Sequence, residues 1–332
     1  MVWELYTKWI NKGLSLERPF YQEGDQMQLY LAALAGYTDP CFRKIVEDFH
    51  PAGMTTEMVS MRALYYGDKK TLQMLTPPDN PDTSLQIFGD DPDIIGACLE
   101  KYLNDLPNFS AFELNMGCPA PKIVKSGAGS ALLKDLDRAG RIMEVLKEKA
   151  NRPVGIKTRK GFDEDTLGLD AAKLAEKIGL DYVIIHGRTR AMYYDGLADW
   201  DFIHQVAREV SLPVFGNGDI TSPQMAEDQL KEGDLAGIYI GRGAIGNPWI
   251  FAGKEPSLED RFKVMERHLN LALDYYGPYR GIREMRKHFI SYVKGLPGSK
   301  KLKQDLVQCK DREEVEKCLE NYLQTRPNLD FF

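Results

Sequence analysis

Two glycine-rich segments, Gly216–Ile220 (GNGDI) and Ile240–Trp249 (IGRGAIGNPW), let backbone N–H groups approach an anion, and Arg242 adds positive charge beside them. Taken singly, either segment is also explained by ordinary turn-forming glycine. Lys157 stands among small and branched residues in GIKTRKGF, a setting that suits an anion or a developing negative charge. A solvated lysine at a strand end fits that setting too. His186, Arg188 and Arg190 follow in IIHGRTR, and Gln86 in LQIFG offers an amide that both donates and accepts. Asn115 and Cys118 lie in ELNMGCPAPK. A free cysteine is most often a small buried hydrophobe, but in a Gly/Pro loop it can equally serve chemistry.

A repeated strand–helix unit must position these residues. Eight β-type runs are legible: Leu29–Ala33, Gly53–Glu57, Ser84–Phe88, Ala111–Asn115, Val154–Thr158, Tyr182–His186, Pro213–Gly216 and Gly237–Ile240. Helical patterns separate most of them, at Pro40–Phe49, Asp93–Leu103, Asp135–Ala150, Leu169–Ile178, Trp200–Val210 and Pro223–Glu232. The spacing is roughly the 30 residues of a βαβ unit. Eight units over residues 28–253 predict an α/β fold, a (β/α)8 TIM barrel, with an open doubly wound sheet as the alternative. A barrel places function at the C-terminal strand ends, where all the residues named above fall. The glycine segments follow strands seven and eight, the usual phosphate site of such barrels, so a phosphorylated cofactor or substrate is expected.

The strand pattern stops after Gly253. Ser257 with Asp260 reads as a capping box opening a helix from about Leu258 to Tyr276. Further helical runs at Arg280–Lys294 and after Asp311 make 254–332 a small all-helical domain. Arg280, Arg283, Lys287 and Lys294 share one face of the middle helix, opposite Ile282, Met285, Phe289, Tyr292 and Val293. The whole chain carries 43 Lys+Arg against 49 Asp+Glu, a net −6 that argues at first against nucleic acid. Residues 280–303, however, contain eight Lys/Arg and a single acid, Glu284. A merely solvated face would mix signs, so RNA contact is expected there.

Five cysteines without a CxxC pair fit neither a disulfide scaffold nor a zinc site, and no metal is expected. No stretch approaches the length of a membrane span, and the N-terminus lacks the apolar run of a signal peptide. A cytoplasmic protein is expected, with no membrane partner and no protein partner readable. Residues 1–27, where Trp3, Tyr6, Ile10 and Leu14 recur at helical spacing, form an N-terminal extension without an assigned role. His50, His204 and His268 read as structural or surface residues, and Cys41 and Cys98 as packing residues.

The motifs LAALAGYTD, QIFG, LNMGCPAPK, GAGSALL, IKTRKG, IHGRTR, GNGDI and IGRGAIGNPWIF occur in the order seen in the tRNA-dihydrouridine synthases. MRKHFISYV resembles the Arg-Lys-His helix of that family's C-terminal domain. The resemblance runs from about Leu29 to Tyr292 and looks closest to the bacterial B-type branch. It implies an FMN-binding barrel and a tRNA-binding helical domain that together reduce uridine in tRNA, with NADPH as electron donor. By that resemblance, Ala33, Leu34 and Ala35 lie against the flavin ring, Gln86 and Lys157 meet its polar edge, and His186 touches the cofactor. Asn217, Gly218, Asp219, Gly241 and Arg242 hold its phosphate, and Cys118 is the proton donor. Asn115, Arg188, Arg283, Arg286 and Lys287 are assigned to the tRNA. One motif departs from the family pattern: the usual Ala-Pro-Met-Ala-Gly is Ala32-Ala33-Leu34-Ala35-Gly36, which keeps backbone contacts and removes a Met sulfur.

Reduction of the 5,6 double bond of uracil needs hydride at C6, which reduced flavin supplies, and a proton at C5, which a protonated thiol can donate. Two competing readings stay open. A flavin barrel acting on a free pyrimidine or enoate would not need the basic helix. A tRNA-binding module with an inert barrel would bind no flavin.

Overall fold

The computed structural model describes residues 27–325 and divides the chain into two compact units, one of Gln28–Ala244 and a second that begins again at Ile245. The helical spacing of Trp3, Tyr6, Ile10 and Leu14 lies outside the described residues. In the first unit β1 (Leu29–Leu31), β2 (Gly53–Thr55), β3 (Val59–Ser60), β4 (Thr83–Phe88), β5 (Phe112–Met116), β6 (Val154–Arg159), β7 (Tyr182–His186), β8 (Val214–Asn217) and β9 (Gly237–Ile240) are all parallel. β1 pairs with both β2 and β9, and β2 pairs onward with β4, so eight strands close into a barrel and the two-residue β3 hangs on β4. The open doubly wound alternative is thereby removed.

Helices α1 (Pro40–Glu47), α2 (Met61–Tyr65), α3 (Lys69–Gln73), α4 (Pro92–Cys98), α5 (Pro121–Lys125), α6 (Leu136–Lys149), α7 (Leu167–Ile178), α8 (Trp200–Glu209) and α9 (Pro223–Leu230) fill the connections. Their starts are written locally. Asp39 accepts the N–H of Phe42 ahead of Pro40, Asp135 that of Arg138, and Asp199 that of Phe202. The outer faces of the strands, Leu85, Ile87, Leu114, Ile156, Val183 and Ile185 among them, join the helices in one apolar core.

Strand alternation then sends Gln86, Glu113, Asn115, Lys157 and Asn217 into the barrel. Beneath them Tyr30, Tyr182, Phe215 and Tyr239 pack with Ala32 and Ile184, Tyr30 stacking on Tyr239 at 5.0 Å between ring centroids. Glycine makes room for this aromatic floor, since a Cβ at Gly155 would strike the Tyr182 ring.

The second unit contains α10 (Leu258–Tyr276), α11 (Pro278–Tyr292), α12 (Ser299–Gln308) and α13 (Arg312–Gln324). Ser257 and Asp260 form the expected reciprocal cap of α10. The hairpin to α11 turns at Gly277 (φ +80°), and Gly281 lets the helices close, because a Cβ there would fall 2.6 Å from the Ala272 carbonyl oxygen. α11 and its C-terminal end bury Ile282, Met285, Phe289, Tyr292 and Val293, the apolar face expected from the periodicity, and bury His288 with them. The helix α12 has no counterpart among the sequence patterns. The glycine run Ile240–Trp249 is split: Gly241–Ala244 stay with the barrel, while Gly246 packs against Ser291 of α11. Among the described residues, no helix is long and apolar enough to cross a membrane.

Candidate active site

Inside the barrel, one chain of hydrogen bonds joins three strands. Gln86 Nε2 donates to Glu113 Oε1, whose other oxygen accepts from Thr55 Oγ1 at 3.5 Å. Asn115 Nδ2 donates to Gln86 Oε1 at 2.8 Å, and Asn115 Oδ1 accepts the N–H groups of Gly117 (3.1 Å) and Cys118 (2.9 Å). The Cys118 carbonyl in turn accepts from the N–H and hydroxyl of Ser130, so the loop after β5 is held on both sides. Gly129 (φ +62°) is required here, as a Cβ would crowd Ile123 at 2.9 Å and the Cys118 carbonyl at 3.0 Å. Burial pushes the Cys118 thiol up, against the opposing pull of the Ala120 N–H and the Arg159 charge, so it stays protonated at neutral pH.

Lys157 is half-buried and donates to Asn217 Oδ1 at 2.8 Å, and Asn217 Nδ2 reaches the Tyr239 carbonyl at 2.7 Å. Burial lowers the Lys157 ammonium and raises the fully enclosed Glu113 carboxyl, and the attraction between the two opposes both shifts. His186 is held well below the ordinary histidine range, first by burial and then by Lys157, Arg159, Arg188 and Arg242, so its ring is neutral.

At the ends of β7, β8 and β9, the carboxylate of Asp219 accepts from Arg188 Nη2 at 2.6 Å, from the Ala198 N–H at 2.8 Å and from Arg242 Nη2 at 3.3 Å. Gly218 (φ +139°) and Asp219 (φ +57°) turn the backbone sharply after β8. Arg242 also stacks over Tyr194 at 4.5 Å. In the loop after β1, Ala33 and Leu34 are half-buried and Ala35 exposed. Thr38 Oγ1 accepts the Leu34 N–H, and Leu34 Cδ2 would lie 3.4 Å from a Cβ at Gly241.

The cations of the mouth do not form an open rim. Arg188, expected as a mouth cation for the tRNA, is 2% exposed and also donates to the carbonyls of Asp195 and Gly196. Its burial takes it off the surface and groups it with Asp219 and Arg242. Arg159, 4% exposed, donates to the carbonyls of Gly117, Thr189 and Tyr193, and Lys160 pairs with Asp199 at 2.6 Å. In the helical unit Arg283 is exposed, whereas Arg286 ties α11 to the Cys309 carbonyl and Lys287 is paired with Glu284 at 2.8 Å.

Arg159, with Lys157, Lys160, Arg188 and Arg190, is expected from the sequence on a cationic mouth rim, whereas motif reading passes over Glu113. Residue periodicity could have found it: it is two residues before Asn115, so it shares the inward face of its strand. His204, buried and 2.6 Å from Asp234, is structural, and Arg208 pairs with both Asp234 and Glu232 beside it.

The family model for dihydrouridine synthases matches residues 30–327. The chain belongs to the dihydrouridine synthase family. It is 36% identical over 285 residues to a Rickettsia conorii protein described as a probable tRNA-dihydrouridine synthase, covering 82% of this chain and 86% of that one. A similarly described Rickettsia prowazekii protein is 35% identical over 308 residues, 88% of this chain and 94% of the relative. The tRNA-dihydrouridine synthase B of Pseudomonas putida is 36% identical over 288 residues, 83% and 85% of the two chains, in line with the B-type resemblance of the motifs.

Proposed function

We propose that this dihydrouridine synthase reduces the 5,6 double bond of uridine in tRNA, with FMN held in the barrel mouth and Cys118 donating the proton that reaches C5. Bound FMN supplies the hydride for C6. The mouth suits that cofactor. His186 Nδ1 and Arg188 Nη1 are buried without a hydrogen-bond partner among the described residues, and a polar ligand beside them removes that deficit. Gln86, Lys157 and neutral His186 would meet the polar edge of the ring, and Leu34 with its neighbours Ala33 and Ala35 its apolar surface. Arg188 and Arg242, oriented by Asp219, would hold the phosphate with Asn217, Gly218 and Gly241. The carboxylate of Asp219 itself repels a phosphate, so its part is to aim the two arginines.

Lys157 would offer positive charge to the negative charge that collects on a bound flavin when it is reduced, and its bond to Asn217 fixes its direction. Asn115 is tied to both the Gln86 amide and the Cys118 N–H, so the group at the cofactor edge and the proton donor belong to one rigid chain. That linkage carries the reading. NADPH is the proposed electron donor, the cytoplasm the proposed compartment, and the helical unit, with Arg283 exposed on α11, the proposed tRNA-binding domain.

The test uses purified holoenzyme, tRNA from a strain lacking the gene, and free uracil as the competing substrate. Released FMN, dihydrouridine formed in the tRNA, faster flavin reduction by NADPH than by NADH, and no turnover of free uracil are expected. Colourless protein, or equal turnover of free uracil, refutes the reading.

A further inference from the structure

The hydrogen-bond chain of the barrel has a direction, and both of its ends are fixed chemically. The N–H groups of Gly117 and Cys118 can only donate, so the atom of Asn115 facing them must be its carbonyl oxygen. The Asn115 amide nitrogen therefore faces Gln86, which must present its own oxygen. The Gln86 nitrogen is then left to point down the barrel, where a donor would confront it with a second donor and an apolar group would leave it unsatisfied. Glu113 stands there, fully buried, with a carboxylate oxygen accepting from that nitrogen. A carboxyl group meets the requirement in either protonation state: ionised it has no proton to offer, and when burial, which pushes Glu113 up to about 7, leaves one oxygen protonated, the other still accepts from Gln86. Thr55 donates to the second Glu113 oxygen at 3.5 Å.

We propose that Glu113 is a positioning residue for the reaction: as the acceptor facing the Gln86 nitrogen it sets the orientation of the Gln86 and Asn115 amides, and through them the place of the Cys118 loop. The same carboxylate offsets part of the Lys157 charge at the cofactor edge. Its role toward the flavin rests on the function proposed above, while its role toward Cys118 does not. Truncation of Glu113 lets the Gln86 amide turn over, and Asn115 then holds the Cys118 N–H only part of the time.

Three variants of the full chain separate acceptor, charge and fold. Glu113→Met removes the acceptor at similar length, Glu113→Gln keeps one acceptor oxygen and removes the charge, and Glu113→Gln with Gln86→Glu exchanges the pair while still offering Asn115 an acceptor. The rate of Cys118 alkylation by iodoacetamide is followed by mass mapping of its peptide, which needs neither tRNA nor turnover. Glu113→Met is expected to speed alkylation several-fold, and Glu113→Gln and the exchanged pair to stay within about twofold of the parent. In the flavin-loaded protein Glu113→Gln is expected to shift the midpoint potential positive, because Lys157 is no longer opposed. Parental alkylation in Glu113→Met overturns the proposal, as does equal acceleration in Glu113→Met and Glu113→Gln. If Glu113→Met does not fold, acceleration in the exchanged pair equal to that of Gln86→Glu alone overturns it. A chain without flavin would sink the functional reading and leave the alkylation comparison intact.

Discussion

In the barrel, Arg159 and Arg188 are buried and their guanidinium groups donate to backbone carbonyls and to Asp219; in the helical unit, Arg280, Arg283 and Lys294 stand exposed on or beside α11. The residue types are the same and the work is opposite. A buried cation with matched acceptors shapes backbone and sets local potential, whereas an exposed one acts at a distance that salt can screen. The histidines repeat the contrast. His186 is neutral among cations, its Nδ1 without a hydrogen-bond partner among the described residues, while His268 and His288, 4.4 Å apart, are neutral chiefly because a helical core buries them.

The sharpest way to break this division is at the mouth. Cys118→Ala should keep bound flavin and lower turnover on tRNA by about 10²- to 10⁴-fold, the usual worth of a positioned proton donor. Single-turnover reduction of tRNA by the prereduced variant reads this directly, and a parental rate removes Cys118 from the reaction. Next in size is Arg159→Met, which strips donors from the Gly117, Thr189 and Tyr193 carbonyls. A loss of about 3 kcal/mol in urea unfolding is expected, against about 0.5 kcal/mol or less for Arg283→Met. Equal losses would erase the distinction between the two kinds of arginine.

The helical unit has its own weak point in acid. Burial, helped by the Lys287 charge, holds His268 at about 3, and burial with His268 and Lys287 beside it holds His288 well below the ordinary range. The unfolded chain takes up these protons near pH 6.5 and the folded chain does not. Stability is therefore complete above about pH 6.5 and falls as pH drops toward 3, by about 1.4 kcal/mol per pH unit for each histidine. His268→Gln, which binds no proton, should remove one such increment from the slope of unfolding free energy between pH 6 and pH 4. An unchanged slope would show that His268 titrates normally.

Much of this was legible in the chain and some was not, for physical reasons. The eight strands showed because alternation and spacing repeat, and Gly237–Ile240 and Tyr182–His186 have the bounds the pattern predicts. The short elements β3, α2, α3 and α5 complete too little of a period to announce themselves. The division inside IGRGAIGNPW depends on Gly246 meeting Ser291, a contact no local pattern encodes. Glu113 was readable from strand parity alone, yet only the packed barrel reveals that its acceptor faces Gln86. Arg159 and Arg188 are indistinguishable from surface cations until their carbonyl partners are in place.

The smallest effect concerns the basic face of α11 itself. Its cations share one acid: Glu284 lies 2.8 Å from Lys287 and 3.6 Å from Arg280. A cation already paired with a carboxylate displaces fewer counterions when it meets a phosphate, because part of its charge is neutralised beforehand. Arg283 is more exposed than Lys287, so it should contribute more to the salt dependence of tRNA binding. Arg283→Ala is expected to flatten the slope of log K against log salt by about 0.7 to 0.9, the release of one phosphate contact, and Lys287→Met by less. Glu284→Gln should act in the opposite sense and steepen it, by freeing Lys287 and Arg280. Fluorescence titrations from low to moderate salt would measure all three. If Lys287→Met flattened the slope more than Arg283→Ala, pairing with Glu284 would not survive in solution, and the exposed face of α11 would carry one more cation for RNA than its geometry allows.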